Sequence, residues 1–425
     1  MRALQILPLL LLLAASLQAQ VTAIRAGTLI DPAAGTAAKD QVILVEGKTV
    51  KAVGEKLAIP RGAAVIDLSN SAVMPGLFDA HTHLCMTVNM RRDAGSYYYT
   101  TLNDPDSYRA IQGVANARSM LETGFTTVRD IGNEGEFACT SLRRAVSQGL
   151  VDGPTIINAG RIIAPYGGQF QLQPDKGEVL ATPEYFFADT RDELLKAVRE
   201  NIHYGAKVIK LVVDDQPYIY TPEDIRFVVD EAAKSGVKVA AHVWTAAGAH
   251  NAALAGVASM EHLNGISDED LALAKRNGVV AVFTPFPASV LKGFRGDTAG
   301  QKEYEQEIDR LRAGYKAGVT IAFGTDAIHD LPGTTRGSLA ITWIDSYVDA
   351  GLTPAAILQA MTVNAARLLG VEKERGTIAP GMAADIIAAP GNPLADARTL
   401  KQVHFVMKNG KVVKTRSPQP RTASR

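Results

Sequence analysis

The segment MPGLFDAHTHL, residues 74–84, marks the point at which the character of the sequence changes. Before its Pro75-Gly76 pair, short β-rich runs alternate with turns, whereas after it the patterns of strand, loop and helix alternate repeatedly. Repeated βα alternation is typical of a parallel sheet covered by helices. The segment therefore predicts the first strand of an α/β fold, and that strand ends in two histidines.

Eight candidate strands make up this alternation. They are residues 77–83, 125–131, 155–159, 206–213, 238–243, 258–263, 279–285 and 320–326. A closed (β/α)8 barrel, or TIM barrel, is built from eight such units, and this is the fold that we expect.

Two helices have clear start signals. After the fourth strand, Thr221 can cap a helix and Pro222 suits its first position. Thr353-Pro354 predicts the start of a second helix in the same way, and we expect that helix to run to about Leu369.

Both ends of the chain are rich in β-forming residues. The runs VILVEG and KTVKAVG precede the barrel, and VHFVMKNGKVVK follows it, with Asn409-Gly410 suited to a hairpin turn. We expect these strands to join in one small β-sandwich domain. The predicted division is a signal peptide in residues 1–19, a β-sandwich from residues 20–75 and 376–416, a barrel in residues 76–375 and a disordered tail in residues 417–425.

The first nineteen residues have the pattern of an export signal. Arg2 supplies a positive start, residues 6–15 are apolar, and Leu17-Gln18-Ala19 offers a small-residue cleavage site. The alternative is a membrane anchor, but the apolar run is shorter than the roughly 20 residues that span a bilayer. We therefore expect a periplasmic or secreted protein without stable membrane insertion after cleavage.

Composition excludes some classes of partner. Of the 425 residues, 47% are hydrophobic and 21% are charged, and Lys+Arg and Asp+Glu are equal at 44 each. No excess positive charge is available for nucleic acid phosphates, so we expect a small-molecule partner and no nucleic acid. A homo-oligomer is compatible with these numbers. The two cysteines, Cys85 and Cys139, follow neighbouring strands and could be one disulfide or two free thiols.

The histidines at the end of the first strand are candidates for metal ligands. Side chains alternate between faces along a strand, so His81 and His83 point the same way. The carboxyl ends of barrel strands are where barrel enzymes place their active sites. A shared metal is one interpretation, and two ordinary loop histidines are the other.

Three further side chains fall at the ends of later strands. His242 ends the fifth strand, His262 the sixth and Asp326 the eighth. A lone histidine at a strand end is usually structural. Four histidines and an aspartate at the same end of parallel strands are hard to attribute to accident, and they predict a metal site at the barrel mouth.

Lys210 is the most informative residue of the set. It lies within VIKLVV on the face shared by Val208 and Val212, so its amine would point into the barrel. Burial of an unpaired ammonium is costly. Carbamylation by carbon dioxide would convert the amine into a carboxylate able to bridge two cations. The alternative is a lysine that reaches a nearby acid, Asp214 or Asp215.

Together these features resemble the amidohydrolase superfamily, in particular its binuclear imidazolonepropionase-like and prolidase-like (Xaa-Pro dipeptidase-like) branch. The resemblance runs from about Ala26 to Val413. Its motifs are MPGLFDAHTHL, TGFTTVRDIG, VIK, AAHV, SMEHL, FGTDA, NAARLLG, GTIAPGMAADIIA and NGKVV. No single motif is specific, but the ordered set is.

The resemblance implies a pair of divalent cations. His81, His83 and Asp326 would hold the more buried one, and His242 and His262 the other. A Lys210 carboxylated by carbon dioxide would bridge the two. Zinc suits the imidazole-rich set, with manganese or cobalt as alternatives. The cations would generate hydroxide near neutral pH, and Asp326 would accept its proton and pass it to the leaving amine.

Five residues are candidates for contacts with the substrate. Tyr220 matches a tyrosine that reaches the substrate in prolidase-like relatives, Tyr218 is two residues earlier, and packing of the loop is the alternative for either. Gln169 stands where relatives frequently have a histidine, and it cannot carry a proton. Arg336 could pair with a substrate carboxylate or form a solvent-facing salt bridge. His329 is a candidate loop contact.

Three functions compete at this point. The first is an amidase or peptidase that cleaves a dipeptide or N-acyl amino acid. The second is a cyclic amidohydrolase or deaminase; deamination is disfavoured because the residues after His242 are Val243, Trp244 and Thr245, where such deaminases place a glutamate. The third is a non-catalytic binding barrel, which would normally have lost ligands.

Overall fold

The computed structural model describes residues 21–132, 134–169, 176–177, 181–215 and 217–415. The predicted signal peptide and the predicted C-terminal tail lie outside these residues. Within the described part of the chain, every helix is too short or too polar to cross a membrane.

The strands are β1 (Val21–Asp31), β2 (Thr36–Glu46), β3 (Thr49–Gly54), β4 (Ala64–Pro75), β5 (Leu77–Thr82), β6 (Val88–Asn89), β7 (Phe125–Asp130), β8 (Thr155–Asn158), β9 (Ile162–Ala164), β10 (Tyr185–Phe187), β11 (Val208–Val212), β12 (Lys238–Val243), β13 (Ser259–His262), β14 (Val280–Val282), β15 (His329–Asp330), β16 (Ile386–Ala389), β17 (Phe405–Lys408) and β18 (Lys411–Thr415).

The α-helices are α1 (Tyr98–Asn103), α2 (Asp106–Thr123), α3 (Ala138–Ser147), α4 (Arg191–His203), α5 (Pro222–Ala233), α6 (Ala246–Ala255), α7 (Asp268–Arg276), α8 (Ala288–Arg295), α9 (Asp297–Ala317), α10 (Arg336–Ala340), α11 (Ile344–Asp349), α12 (Pro354–Ala360) and α13 (Val363–Leu369). Short 3₁₀ helices span Ile341–Trp343 and Ala397–Gln402.

Strands from both ends of the chain form one seven-stranded sheet, in the order β18-β17-β16-β4-β1-β2-β3. The sheet has its own buried cluster, which includes Ile24 from the N-terminal part and Phe405 from the C-terminal part. The predicted hairpin turn lies between β17 and β18, where Asn409 and Gly410 have φ values of 48° and 74°. The predicted small β domain, built from both ends, is therefore present.

The parallel strands form the barrel in two hydrogen-bonded sets, β5-β7-β8 and β9-β11-β12-β13-β14, with β10 on the outer side of β9. The amide of Lys207, just before β11, donates to the carbonyl of Asn158 at 2.7 Å and joins the two sets. The predicted eighth strand, residues 320–326, contacts β14 through an isolated bridge between Ala281 and Ile321.

The same eighth segment closes the ring against β5. The Ala80 amide donates to the Phe323 carbonyl at 2.7 Å, and the Asp326 amide donates to the His81 carbonyl at 2.8 Å. The predicted (β/α)8 fold is thus confirmed, although the eighth segment is less regular than predicted. Because this segment is hydrogen-bonded to β14 on one side and to β5 on the other, Asp326 lies next to the end of β5 that carries the histidines.

One predicted helix is divided into two. Helix α5 begins as expected, with the Thr221 side chain accepting the Asp224 amide. The helix expected from Thr353 to about Leu369 is instead α12 and α13. The carbonyls of Ala360 and Met361 accept amides of the barrel strands, from Phe323 at 3.0 Å and Phe78 at 2.8 Å. Because these carbonyls turn toward the barrel, the helix breaks, and Thr362 takes the non-helical angles φ −137° and ψ −93°.

Candidate metal centre

The predicted metal ligands lie together at the carboxyl end of the barrel. Asp326 is the centre of the group: its Oδ1 lies 3.2 Å from Nε2 of His83 and 3.8 Å from Nε2 of His81. Its Oδ2 lies 4.0 Å from Nδ1 of His262. Two strand ends, those of β5 and β13, and the closing segment thus bring three imidazoles and one carboxylate together, and possible ligand atoms of His81, His262 and Asp326 lie within 4.8 Å of one another.

The first-strand histidines are held by contacts on their other ring nitrogens. Nδ1 of His81 lies 2.9 Å from Oε2 of the buried Glu261. Nδ1 of His83 lies 2.7 Å from the carbonyl oxygen of Gly132. Such outer contacts fix the orientation of an imidazole and leave its remaining nitrogen for a ligand. Both Nε2 atoms accordingly face Asp326.

His242 lies beside this cluster. Its ring centroid is 4.6 Å from that of His262, which in turn is 4.8 Å from that of His81. Nε2 of His242 lies 2.9 Å from Oδ2 of Asp215, but the geometry is not that of a hydrogen bond, and this buried nitrogen has no hydrogen-bond partner within the described residues. An unsatisfied buried imidazole nitrogen is what a metal ligand without its metal would show.

Unusual backbone angles occur at two of the ligands. His262 and Asp326 have φ values of 68° and 54°, and Thr284, next to them in space, has a φ of 48°. Left-handed angles are costly for residues with a side chain and concentrate at functional sites. At His262 this angle interrupts the alternation of side chains between the two faces of β13. Glu261 and His262 are consecutive residues, yet both side chains lie next to His81 in the interior of the barrel.

Lys210 is only 2% exposed and lies in the middle of β11. Burial lowers the pKa of its amine to about 8, against the opposing influence of Glu261 and Asp326. Within the described chain its amine forms no ion pair. Asp214 instead accepts the amides of Trp244 at 2.8 Å and Thr245 at 2.7 Å. The alternative in which Lys210 pairs with Asp214 is therefore wrong.

Asp215, the other acid in that alternative, is also engaged elsewhere. Its Oδ2 lies 2.9 Å from His242 and accepts a hydrogen bond from Nε2 of Gln169 at 2.8 Å. Oε1 of Gln169 accepts the Tyr185 hydroxyl at 2.8 Å. Gln169 therefore contacts the His242 side of the centre through Asp215. The charge of Asp215 acts on Lys210, but the two form no ion pair among the described contacts.

The protonation states of His81, His262 and Asp326 suit cation binding, whereas the hydrogen bond and charge of Asp326 outweigh burial and raise the pKa of His83. Burial lowers the pKa of His81 to about 4 and that of His262 well below its ordinary value. Burial alone would raise the pKa of Asp326, but the neighbouring His81, His83 and Lys210 hold it well below the usual range. Neutral imidazoles with an ionised carboxylate are the forms that bind metals. The donor set, four imidazoles and one carboxylate, fits zinc and similar divalent ions.

The two candidate tyrosines are turned toward backbone carbonyls. The buried Tyr220 donates its hydroxyl to the carbonyl of Ala188 at 2.5 Å. Tyr218 is 47% exposed, and its hydroxyl donates to the carbonyl of Tyr166. Tyr220 thus has the contacts of a loop-packing aromatic, whereas Tyr218 remains accessible at the surface of the same loop.

Arg336 does not have the surroundings expected for it. It is 6% exposed, so the solvent-facing salt bridge considered above is wrong. Its guanidinium donates to the carbonyls of His83 at 2.8 Å, Met86 at 2.8 Å and Ile328 at 3.2 Å. These hydrogen bonds connect the loop after β5 to the loop after the eighth segment. They occupy the guanidinium N–H groups that a substrate carboxylate would need.

His329 is packed among aromatic side chains. Its ring centroid lies 4.2 Å from that of Phe294 and 6.4 Å from that of Phe286. Burial lowers the pKa of His329 to about 4. A neutral imidazole in this position can contact a substrate at the mouth; its described contacts are the two aromatic rings and a hydrogen bond with the backbone of Gly95.

Cys85 and Cys139 are two free, buried thiols. Of the two alternatives left open above, the structure has the second. Burial raises the pKa of Cys139 well above its ordinary value, so this thiol is protonated near neutral pH.

The polar layer behind the ligands was not predicted from the sequence. Arg129 donates to Oε1 of Glu261 at 2.7 Å and to the Ala80 carbonyl at 2.6 Å. Asp79 accepts the Thr325 hydroxyl at 2.7 Å. The available signal was the presence of charged residues inside VRD, MEH and FDA, three strand patterns that are otherwise apolar.

Comparison with known proteins identifies the family. The model of the amidohydrolase family matches residues 72–413. Ochratoxinase from Aspergillus niger is 30% identical over 446 aligned residues, which cover 95% of this chain and 89% of that protein. Imidazolonepropionase from Sphingopyxis alaskensis is 26% identical and covers 80% of this chain, with 84% of its own length matched.

The fold has close counterparts among solved structures. A Xaa-Pro dipeptidase with methionine bound in its active site superposes with a TM-score of 0.81 at 28% identity. The superposition covers 93% of this chain and 100% of that chain. The family match and the hydrolase relatives confirm the predicted class, an enzyme that hydrolyses amide bonds. The chain belongs to the amidohydrolase family.

Proposed function

We propose that this protein is a binuclear metal-dependent hydrolase that cleaves the amide bond of a dipeptide or an N-acyl amino acid. The observation that carries the proposal is the convergence of four histidines and one carboxylate with a buried lysine that forms no ion pair with a described residue: His81, His83, His242, His262, Asp326 and Lys210. A single-metal centre would leave Lys210 without a role. The name of one structural neighbour, a Xaa-Pro dipeptidase, supports a dipeptide as the substrate.

His81, His83 and Asp326 would hold one divalent cation, and His242 and His262 would hold the other. When bound, two such ions activate a water molecule and polarise the carbonyl of the substrate. Zinc is the proposed metal because imidazole is the main donor.

Lys210 would join the two ligand groups as a carboxylated lysine. Its neutral amine attacks carbon dioxide, an N–C bond forms, and one proton leaves, which gives an anionic carbamate. With a pKa of about 8, a much larger fraction of the amine is neutral at pH 7 than in an exposed lysine, whose pKa is about 10.4. The resulting negative charge would also compensate the burial of two cations.

Asp326 would move the proton of the reaction. Its low pKa keeps the carboxylate ionised at neutral pH, where it can accept a proton from the attacking water. The same oxygen can then donate that proton to the leaving nitrogen as the amide bond breaks. The position of Asp326 between His83 and His262 places this carboxylate next to both ligand groups.

We also propose that the enzyme is exported, on the basis of the N-terminal signal pattern. Outside the cytoplasm it would meet peptide fragments and acylated amino acids.

The test is metal content together with hydrolysis by the purified protein supplied with zinc and bicarbonate. We expect about two divalent ions per chain, as in two-metal hydrolases, and cleavage within a panel of dipeptides and N-acyl amino acids. In Lys210→Ala we expect loss of one ion and a fall in kcat/KM of at least about 100-fold. The matched control is Lys207→Ala, an exposed lysine three residues earlier, which should leave both values unchanged.

Incubation with ¹³C-bicarbonate adds a readout independent of activity. Wild type and Lys207→Ala should show a carbamate signal by NMR, and Lys210→Ala should not. If Lys210→Ala retained full activity with one ion per chain, the second ion would not be needed for hydrolysis. That result would refute the binuclear centre. Cleavage of cyclic amides without cleavage of the linear panel would favour the cyclic amidohydrolase instead.

A further inference from the structure

A cavity of about 680 Å³ opens beside the metal centre, between the loop after β13 and helix α9. Its lining includes Trp244, Asn264, Ile266, Lys302, Glu307 and Arg310. It has both an apolar part and several charged groups, and its size is that of a small-molecule site.

Trp244 connects the cavity to the metal ligands. Its indole is stacked on the ring of His242, with centroids 5.9 Å apart and planes inclined by 6°. The same indole meets the ring of His262 edge to face at 6.1 Å. A molecule in the cavity would therefore be separated from two ligand side chains by only one ring.

Two polar groups of the cavity wall are unsatisfied. Nε of Arg310 and Oδ1 of Asn264 are buried, and neither has a hydrogen-bond partner within the parts of the chain that the structure describes. Arg310 likewise makes no ion pair with a described residue. Buried polar groups of this kind are uncommon in native proteins, and each requires an explanation.

Glu307, an acid on the same cavity wall, forms no ion pair with Arg310 among the described contacts. Glu307 lies one helical turn earlier on α9, but one of its oxygens accepts the amide of Phe286. Burial raises the pKa of Glu307 to about 8, so this carboxyl is largely protonated near neutral pH. Within the described residues, Nε of Arg310 is left without a hydrogen-bond partner on the cavity wall.

A carboxylate is the group that best complements such a guanidinium. Arginine binds carboxylates through two parallel N–H bonds, and pairing removes the cost of a buried lone charge. Asn264 can at the same time bond a neighbouring amide of the same molecule, since its side chain carries both an acceptor and a donor. A free carboxylate next to an amide is the C-terminal half of a dipeptide or an N-acyl amino acid.

We propose that this cavity binds the C-terminal half of the substrate, with Arg310 holding its free carboxylate and Asn264 its adjacent amide. The inference rests on the proposed function, because it requires a substrate whose amide reaches the metal ligands. Arg310 is then the residue that determines specificity for acids over their amides, esters or uncharged analogues.

The test compares the binding of N-acetyl-L-phenylalanine and N-acetyl-L-phenylalaninamide by isothermal titration calorimetry. The two probes differ only in the carboxylate. Wild type should bind the acid at least about 10-fold more tightly than the amide, the effect of one charge-assisted contact. Arg310→Met should remove that preference by weakening the acid alone, and Arg310→Lys should retain part of it. Lys316→Met, which removes an exposed cation of the same helix outside the cavity lining, should behave as wild type.

All of these titrations are made in an Asp326→Asn background, which cannot move the proton of the reaction, so binding is measured without catalysis and is separable from hydrolysis. Equal affinity of wild type for the two probes, or an unchanged preference in a folded Arg310→Met, would overturn the assignment of Arg310. If the protein binds the acid more tightly than the amide but hydrolyses neither linear nor cyclic amides, the carboxylate subsite is supported and the proposed reaction is refuted. If Arg310→Met does not fold, the reduced preference of Arg310→Lys decides the question.

Discussion

Two arginines at the barrel mouth have opposite surroundings. Arg336 donates to the carbonyls of three loop residues, whereas Arg310 has no partner among the described residues. A guanidinium whose N–H groups have hydrogen-bond acceptors in the protein has a structural role. One with an N–H group that lacks an acceptor is available to a ligand. The residue that the sequence analysis named for carboxylate binding is therefore the structural one of the pair.

Replacement of Arg336 should reduce stability without altering specificity. Arg336→Met removes the donors for His83, Met86 and Ile328, and we expect the free energy of unfolding to fall by roughly 2–4 kcal/mol. Urea denaturation measures that loss. The affinity ratio between the acid and amide probes should stay at its wild-type value, and a changed ratio in a variant of unchanged stability would contradict the structural role.

At the scale of elements, the ends of the barrel strands carry most of the functional geometry. His262 and Asp326 both adopt left-handed angles as their strands end. These angles turn consecutive side chains toward the same space, which regular strand geometry forbids. The hydrogen bond from the Asp326 amide to the His81 carbonyl, 2.8 Å long, then sets one strand end against the other.

Helix α4 provides a test at the same scale. Its start is a capping box: the Thr190 side chain accepts the Glu193 amide at 3.3 Å, and the Glu193 carboxylate accepts the Thr190 amide at 2.9 Å. Thr190→Ala should lower the free energy of unfolding by about 1 kcal/mol, because one cap is lost. Thr190→Ser keeps the acceptor oxygen and is the control. Equal urea midpoints for the two variants would refute a role for the cap.

At the scale of the whole molecule, the β sheet and the barrel are joined by a buried ionic cluster. Lys408 of β17 donates to the Thr155 hydroxyl of β8 at 2.7 Å and to Asp385 at 3.0 Å. Asp385 also accepts a hydrogen bond from Arg375 at 2.6 Å. Residues from near the C-terminus are thus tied to the third barrel strand.

This junction predicts a pH dependence of stability. Burial lowers the pKa of Lys408 to about 8, below the ordinary value of 10.5. Between pH 8 and 10.5 the unfolded chain binds more protons at this site than the folded chain, so its contribution to stability rises with pH and is least favourable below pH 8. The gain across this window is at most about 3 kcal/mol.

The measurement is urea unfolding of wild type and Lys408→Met at pH 7, 8, 9 and 10. The variant has no titrating group at this position, so other titrations cancel in the difference. Wild type should gain stability relative to the variant above pH 8. A difference that stays flat or falls across that range would show that Lys408 is not charged and desolvated in the fold.

The sequence by itself determined the barrel and the set of candidate ligands. Strands with a two-residue period, arranged in parallel, bring their carboxyl ends to one edge whatever their spacing along the chain. His81, His83, His242, His262 and Asp326 could therefore be selected from strand position alone. Lys210 was selected in the same way, as a charged residue on an inward-facing position.

Only the tertiary structure decided which polar groups satisfy one another. Glu261 meets His81 across 180 positions of the chain, and Arg336 meets His83 across 253. Strand periodicity contains no information about such pairs, because a hydrogen bond depends on positions set by the whole fold. The case of Arg310 is stronger still: an unsatisfied group can be recognised only after every neighbour has been placed.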